Sequence, residues 1–246
     1  MRYFVERQNA YNALVSKRKE CRACHGLGLI NPACIEGNYD SNQIGPWSRW
    51  QGNLNAEIMV VGQDWGDIRY FTKWQGTDQP TGNPTNTNLQ KLLQTFGVTI
   101  KEPTATQTHS IFLTNLILCI KKEEGGMQAP IQQKCYANCS EYFYQLAEII
   151  RPQIIISLGK PASESILSLY RIPFKKTAPL SEFVDNSPYK LKESMYLFPM
   201  YHCGARGIST NRPLEKQMED WRKAADWFKN TPCLAKKRET TSHAGL

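Results

Sequence analysis

The sequence predicts an α/β fold, a three-layer α/β/α sandwich around a central four-stranded parallel sheet. Three observations carry that reading. Four short runs dense in aliphatic residues recur along the chain: EIMVV (57–61), SIFLTNLIL (110–118), QIIISLG (153–159) and SMYLFPMYH (194–202). These runs are mostly continuous in apolar character instead of alternating, as expected of strands covered on both faces. Helical stretches separate them, which lets each strand return parallel to the last through a crossover.

Taken in order, RYFVERQNAYNALVSKRKE is a polar, partly amphipathic first helix that ends at the cysteine turn CRACHGLG. A loop rich in Gly, Asn, Pro and Trp covers about 26–56, and the first strand then stops at GQDWGD. An irregular polar stretch reaches 86 before NTNLQKLLQTFG, a helix closed by Gly97. After the second strand, a loop holding Gly125 and Gly126 leads into a helix from about Ile131 to Ile150. The third strand follows Pro152, and KPASESILSLY opens a helix directly after Gly159. The fourth strand ends at the turn GARGISTNR, and PLEKQMEDWRKAADWFKN (213–230) closes a single domain spanning 1–230. The remaining residues, 231–246, are polar and basic and are expected to be a disordered tail.

Composition narrows the function classes. With 41% apolar and 21% charged residues, the 246-residue chain can bury a core, which excludes wholesale disorder. No apolar run approaches the roughly 20 residues that cross a bilayer. The N-terminal stretch lacks an uninterrupted apolar segment of the signal-peptide kind, so a cytoplasmic protein is expected. A formal charge of +8 favours a polyanionic partner.

In parallel α/β sheets, ligands bind beyond the carboxyl ends of the strands. That rule singles out GQDWGD, TNLILC, SLGK and HCGARG. Asp64, between Gly62 and Gly66, is either a turn-capping carboxylate or a reactive one. Asn115 is either an inward polar residue that satisfies neighbouring backbone or a carboxamide presenting one donor and one acceptor to a base edge. His202 ends the fourth strand, as a packed ring or as a donor. An acid, an amide and an imidazole at one sheet edge would make a plausible site.

The chain holds eight cysteines. In a reducing compartment they point away from disulfides and toward metal ligation. Cys21 and Cys24 form a CxxC, and Cys119 and Cys135 follow, with Cys139 as a rival on the same helical face as Cys135. Spacing alone does not separate zinc from an iron–sulfur cluster.

Four segments in order resemble the uracil-DNA glycosylase superfamily, most closely its iron–sulfur branch, family four. VGQDWGD resembles the first motif, written GEAPG in family four and GQDPY in family one. FLTNLILC is similar to the strand that bears the base-reading Asn and a cluster Cys. IRPQIIISLGKPA and YHCGARG resemble the family's third strand and second motif. The pattern CxxC followed by C-x15-C also resembles family four's cluster ligation. The resemblance runs from about Cys21 to Arg212.

The resemblance implies a DNA glycosylase that flips a nucleotide out of the stack and hydrolyses its glycosidic bond. It implies that Asn115 reads O4 and N3–H of a uracil-like base. It implies that His202 stabilises charge developing on O2, and that Asp64 positions the water and faces the cationic sugar. Gly62, Gln63, Trp65, Gly66 and Thr81 would line the base. Cys21, Cys24, Cys119 and Cys135 would hold a structural 4Fe-4S cluster, with zinc as the alternative. DNA, single- or double-stranded, would be the partner of a monomer. Lys160, Arg206 and Arg212, with Lys121, are the phosphate-contact candidates, and Ile208 the candidate wedge.

Three departures matter. Gly66 stands where family one has a Tyr, leaving room beside the base. Thr81 stands where family four has a stacking Phe, and Cys203 replaces the proline after the His. The roomier pocket keeps open a hypermodified phage base as substrate, in anti-phage defence. A catalytically inactive, cluster-stabilised DNA-binding module is the non-enzymatic rival.

Overall fold

A computed structural model of the chain describes residues 2–45, 51–52, 54–77, 82–100, 111–122 and 130–231. Thr81 and the basic tail from residue 232 lie outside the described residues. The chain forms two compact units, Met1–Asn83 with Ile100–Pro152, and Pro84–Thr99 with Gln153–Leu246.

In the first unit, helix α1 (Arg2–Glu20) packs against α4 (Gln133–Ile150), which buries Cys135, Cys139, Tyr142, Phe143 and Leu146 along one side. Arg18 is 1% exposed. Its fork meets Asp40 at 2.8 and 2.9 Å and the Gln43 carbonyl at 2.7 Å, which ties the following loop onto α1. Strand β1 (Leu29–Ile30) pairs antiparallel with β4 (Ile120–Lys121). The core pair is β2 (Ile58–Gly62) and β3 (Ile111–Asn115), parallel, with Ile58 opposite Ile111 and Gly62 opposite Asn115. Every residue of both is buried, as their continuous apolar pattern requires.

The second expected strand ends earlier than the apolar run, at Asn115. Leu116 and Ile117 instead donate their amides to the carbonyls of Gly62 and Gln63, at 3.0 and 2.9 Å. They stay buried without extending the ladder, so hydropathy alone could not mark the boundary. The stretch read as irregular up to 86 also contains a short helix, α2 (Ile68–Lys73).

In the second unit, α3 (Pro84–Leu93) precedes Gly97, which adopts φ 73°, the left-handed conformation that a closing glycine supplies readily. Strands β5 (Ile154–Leu158) and β7 (Met195–Met200) run parallel, with Leu158 opposite Met200. Helix α5 (Lys160–Leu169) starts directly after Gly159, and α7 (Leu214–Asn230) buries Trp221, Ala224 and Phe228. Two elements are additional to the expected set: α6 (Leu180–Asp185) and β6 (Tyr189–Lys192). Strand β6 pairs antiparallel with β7. The α/β class is as expected and the expected strands pair in parallel, β2 with β3 and β5 with β7, but the unforeseen β6 adds an antiparallel member. The reason is local: β6 buries only Leu191, so YKLK carries too little apolar signal to be read as a strand.

Candidate active site

The loop after β2 is sewn down along its length. The carbonyls of Gly62, Gln63 and Gly66 accept from the amides of Leu116, Ile117 and Lys121 at 3.0, 2.9 and 3.0 Å. Gly66 sits at φ 136°, a region that side chains with a Cβ rarely adopt. The glycine is therefore a backbone requirement of this loop, a reason independent of any room it leaves. Trp65 is buried and meets Tyr70 edge-on at 6.0 Å, and the Tyr70 hydroxyl accepts from Asn83 at 3.0 Å.

The two acids of the loop have different jobs. Asp67 caps α2, accepting from the Tyr70 amide at 2.9 Å. The capping role weighed for Asp64 thus belongs to Asp67. Asp64 instead pairs with Lys121, Oδ1 to Nζ at 3.1 Å, with side chains 11% and 6% exposed. Burial pushes the Asp64 carboxyl above its ordinary range, opposed first by the Lys121 charge and then by hydrogen bonds from Gln63 and Gly66.

Asn115 ends β3, in register with Gly62. Its side chain is buried, and neither Nδ2 nor Oδ1 finds a hydrogen-bond partner among the described residues. Leaving a buried polar group unpaired costs about 1–3 kcal/mol. A carboxamide with both ends unpaired at a strand end is the expected signature of a group that waits for a ligand. Parallel pairing of β2 and β3 thus brings Asp64 and Asn115 together within the first unit.

His202 lies in the second unit, two residues past the end of β7. The Gly204 amide donates to its Nδ1 at 3.0 Å, so the neutral ring carries its proton on Nε2. The imidazole reaches the surface, yet the protein crowding around it lowers its pKa below the ordinary value. Near neutral pH it is therefore an uncharged donor through Nε2–H. The loop that carries it is packed without slack. A Cβ on Gly204 would stand 2.9 Å from His202 Cε1 and 3.0 Å from Nδ1, and one on Gly207 would meet the His202 carbonyl at 1.9 Å. Gln217, from α7, holds the Arg212 carbonyl at 3.0 Å beneath the same loop. Gly204→Ala is expected to displace the ring, break its bond to the amide and return the His202 pKa toward about 6.5. A titration followed by NMR checks this, and an unchanged pKa would refute the packing argument.

The cationic candidates divide. Arg206 is exposed and Ile208 half-buried, with its amide on the Gly204 carbonyl at 3.1 Å. Lys160 is one-third exposed and rests against the Lys176 carbonyl at 2.8 Å. Arg212 places its fork on Asp220 at 2.6 and 2.7 Å, a brace within the second unit. Lys121 is corrected from a surface phosphate contact to the buried partner of Asp64.

The cysteines gather between α1, the 119–121 segment and α4. Cys24, Cys119, Cys135 and Cys139 are buried in one cluster with Leu29 and Ile117, and Cys21 is half-buried. Hydrogen bonds from Cys139, Asn138 and Cys135 hold the Cys24 thiol well below the ordinary thiol range. Burial and the neighbouring Cys24 and Cys21 push Cys119 up to about 12. Cys21 reaches the same group through the Tyr142 hydroxyl. Among the described residues, no three His, Cys, Asp or Glu side chains form a group that could hold a metal ion. By chemistry the set fits a thiophilic group, since clustered thiols that already favour one anion are soft ligands. Cys139 joins the cluster as closely as Cys135, so the rival ligand persists.

Sequence reading placed Lys121 on the surface and missed Asp67. Lys121 opens KKEE, which looks like a solvated charge run. The signal against that was its position directly after a ten-residue apolar stretch, IFLTNLILCI.

A model of the uracil DNA glycosylase superfamily matches residues 50–229. A type-4 uracil-DNA glycosylase of Saccharolobus solfataricus is 27% identical over 184 residues, covering 74% of this chain and 76% of its own. One of Sulfurisphaera tokodaii is 28% identical over 170 residues, covering 69% of each chain. A type-5 uracil-DNA glycosylase of Pyrobaculum aerophilum is 23% identical over 173 residues, covering 65% of this chain and 70% of its own.

Proposed function

The chain belongs to the uracil DNA glycosylase superfamily, and from that premise we propose that it hydrolyses the N-glycosidic bond of a flipped-out uracil or modified pyrimidine in DNA, leaving an abasic site. The observation that carries this reading is Asn115, a buried carboxamide whose two ends find no partner among the described residues. Its Nδ2–H donates to O4 and its Oδ1 accepts from N3–H of a uracil-like base, which replaces the unmet bonds and identifies the base in one step.

Each remaining residue has a role set by its chemistry. As the C1′–N1 bond breaks, electrons flow into the base and collect on O2. His202 donates Nε2–H there, and an uncharged imidazole suits this because it stabilises the oxyanion without surrendering its proton. The sugar becomes an oxocarbenium ion. Asp64 opposes that charge and accepts a proton from the water that adds to C1′. The base leaves as an anion and is later protonated. Trp65 and the loop around Gly66 line the base. Lys160 and Arg206 contact phosphates, and Ile208 is the wedge that takes the vacated place in the stack.

Cys21, Cys24, Cys119 and Cys135 would hold a 4Fe-4S cluster. When bound it supplies a structural tie between α1, the 119–121 segment and α4, with no electron transferred in the hydrolysis. A preparation that is brown and carries stoichiometric iron supports this, and a colourless one with stoichiometric zinc removes it.

The test is a panel of oligonucleotides, each carrying one uracil, thymine, 5-hydroxymethyl- or glucosylated pyrimidine, single- and double-stranded. Abasic sites are read after alkaline cleavage. Release of at least one base, abolished by Asn115→Ala, is the expected result. Tight binding with every base intact after long incubation would instead identify an inactive DNA-binding module.

A further inference from the structure

Asp64 faces an electrostatic difficulty that its own loop does not resolve. Its carboxylate is largely buried, and DNA binding would bring phosphates nearby and remove water. Both effects favour the protonated, unreactive form. The only ammonium set against it in the first unit, among the described residues, belongs to Lys121, 3.1 Å away and itself 6% exposed. A buried ion pair is a poor choice for stability alone, since packed apolar residues of similar volume are often as good or better. Its presence here asks for another reason.

The backbone supplies one. Lys121 donates its amide to the Gly66 carbonyl at 3.0 Å and forms a parallel bridge with Asp67, so it is bound to the same loop it charges. Its strand, β4, is held by β1 through Ile30 opposite Ile120 and Leu29 opposite Lys121. The Lys122 amide adds a bond to the Gly28 carbonyl at 3.0 Å. A lysine on so short a strand would ordinarily point its flexible stem to water. This one is anchored on both sides, and its ammonium cannot follow the solvent.

We propose that Lys121 is a positioning residue for Asp64: its ammonium, with the Gln63 side chain and the Gly66 amide, fixes the plane of the carboxylate and keeps it an anion when DNA covers it. The proposal rests on the reading of Asp64 as the carboxylate that directs water. Asp67, the other acid of the loop, accepts from the Tyr70 amide as the cap of α2. No proton or electron is transferred to Lys121 at any step.

The test uses the full-length protein with its native metal content and an oligonucleotide carrying a single uracil, or the base released in the panel above. Single-turnover base release and DNA affinity are measured for Lys121→Met, Lys121→Gln, Lys121→Arg and Asp64→Asn. Lys121→Met and Lys121→Gln are expected to slow release by about 10²-fold, the scale of a misplaced reacting group. Their Kd for the oligonucleotide and iron content should stay close to wild type, while the melting temperature falls because the Asp64 carboxylate loses its buried partner. Lys121→Arg should restore most of the rate, because charge is what it keeps. In the Asp64→Asn background, Lys121→Met should cost nothing further, since a residue acting through Asp64 has nothing left to act on.

Wild-type rates in both neutral variants, with Asp64→Asn inactive, would overturn the inference and leave the function standing. An equal loss from Lys121→Met with and without Asp64 would also overturn it, as would a loss that tracks iron content or the fraction of folded protein. Full activity in Asp64→Asn would overturn both this inference and the role of Asp64. If Lys121→Met fails to fold, Lys121→Gln decides alone.

Discussion

Asp64→Asn is expected to slow base release by about 10²–10⁴-fold, the usual range for a positioned acid–base group. The substitution keeps the volume but turns one accepting oxygen into a donor, so it removes the charge and part of the acceptor set that Lys121, Gln63 and Gly66 share. Two contributions go with that charge: the proton acceptor for water, and the anion that opposes the oxocarbenium ion. DNA affinity should stay within a few-fold, and it could rise, because a carboxylate among phosphates repels them. Stability bears on the same question. The carboxyl is raised above its ordinary range by burial, so an uncharged side chain relieves that penalty while leaving the Lys121 ammonium buried without its partner. These effects oppose, and the melting temperature should move little beside the change in rate. Single-turnover kinetics beside a melting curve checks both. A wild-type rate would remove Asp64 from the chemistry.

Asn115→Leu is expected to separate function from stability in the opposite sense. The side chain is 3% exposed, with both polar atoms unpaired among the described residues. Leucine has the same branched shape and no polar atoms but is bulkier, so it removes a standing penalty of about 1–3 kcal/mol per unsatisfied group and adds an overpacking cost of about the same size. These oppose, so the free protein should stay close to wild type in stability. Base release should fall by about 10²–10³-fold, the loss seen when one preorganised hydrogen-bonding group is deleted from a site. Denaturant unfolding and single-turnover assays on the same preparation read the two effects. A loss well beyond the about 1–3 kcal/mol that overpacking costs would mean that the carboxamide is satisfied within the fold, and the case for Asn115 as the base reader would weaken accordingly.

These two residues were legible in the sequence for a physical reason. Each follows directly on a continuous apolar run, and a parallel sheet presents its strand ends to ligands, so a polar residue at such an end is conspicuous. The register of β2 against β3, with Gly62 opposite Asn115, is what makes them neighbours. The cysteine cluster was legible for a similar reason, because CxxC and a helical pair already imply convergence. Gly66 was legible only in part. Its lack of a side chain reads as space, whereas its φ of 136° comes from the path of the loop.

What escaped depends on partners far apart in sequence. Asp64 and Asp67 differ by three positions and look alike as letters, yet one caps a helix and the other faces a lysine 57 residues later. Strand β6 was invisible because a short edge strand with one buried side chain has no periodicity to detect. The tautomer of His202 depends on a single amide at Gly204.

The sequence by itself determined the α/β class, the polar residues at the strand ends and the thiols that gather, because burial pattern and residue type are local properties of the chain. Only the tertiary structure decided which acid caps a helix and which meets a lysine, that Lys121 is a buried partner and not a surface charge, and that Asn115 is unpaired among the described residues. Those are statements about what lies within 3 Å of an atom, and distance in space is not written in the order of the residues.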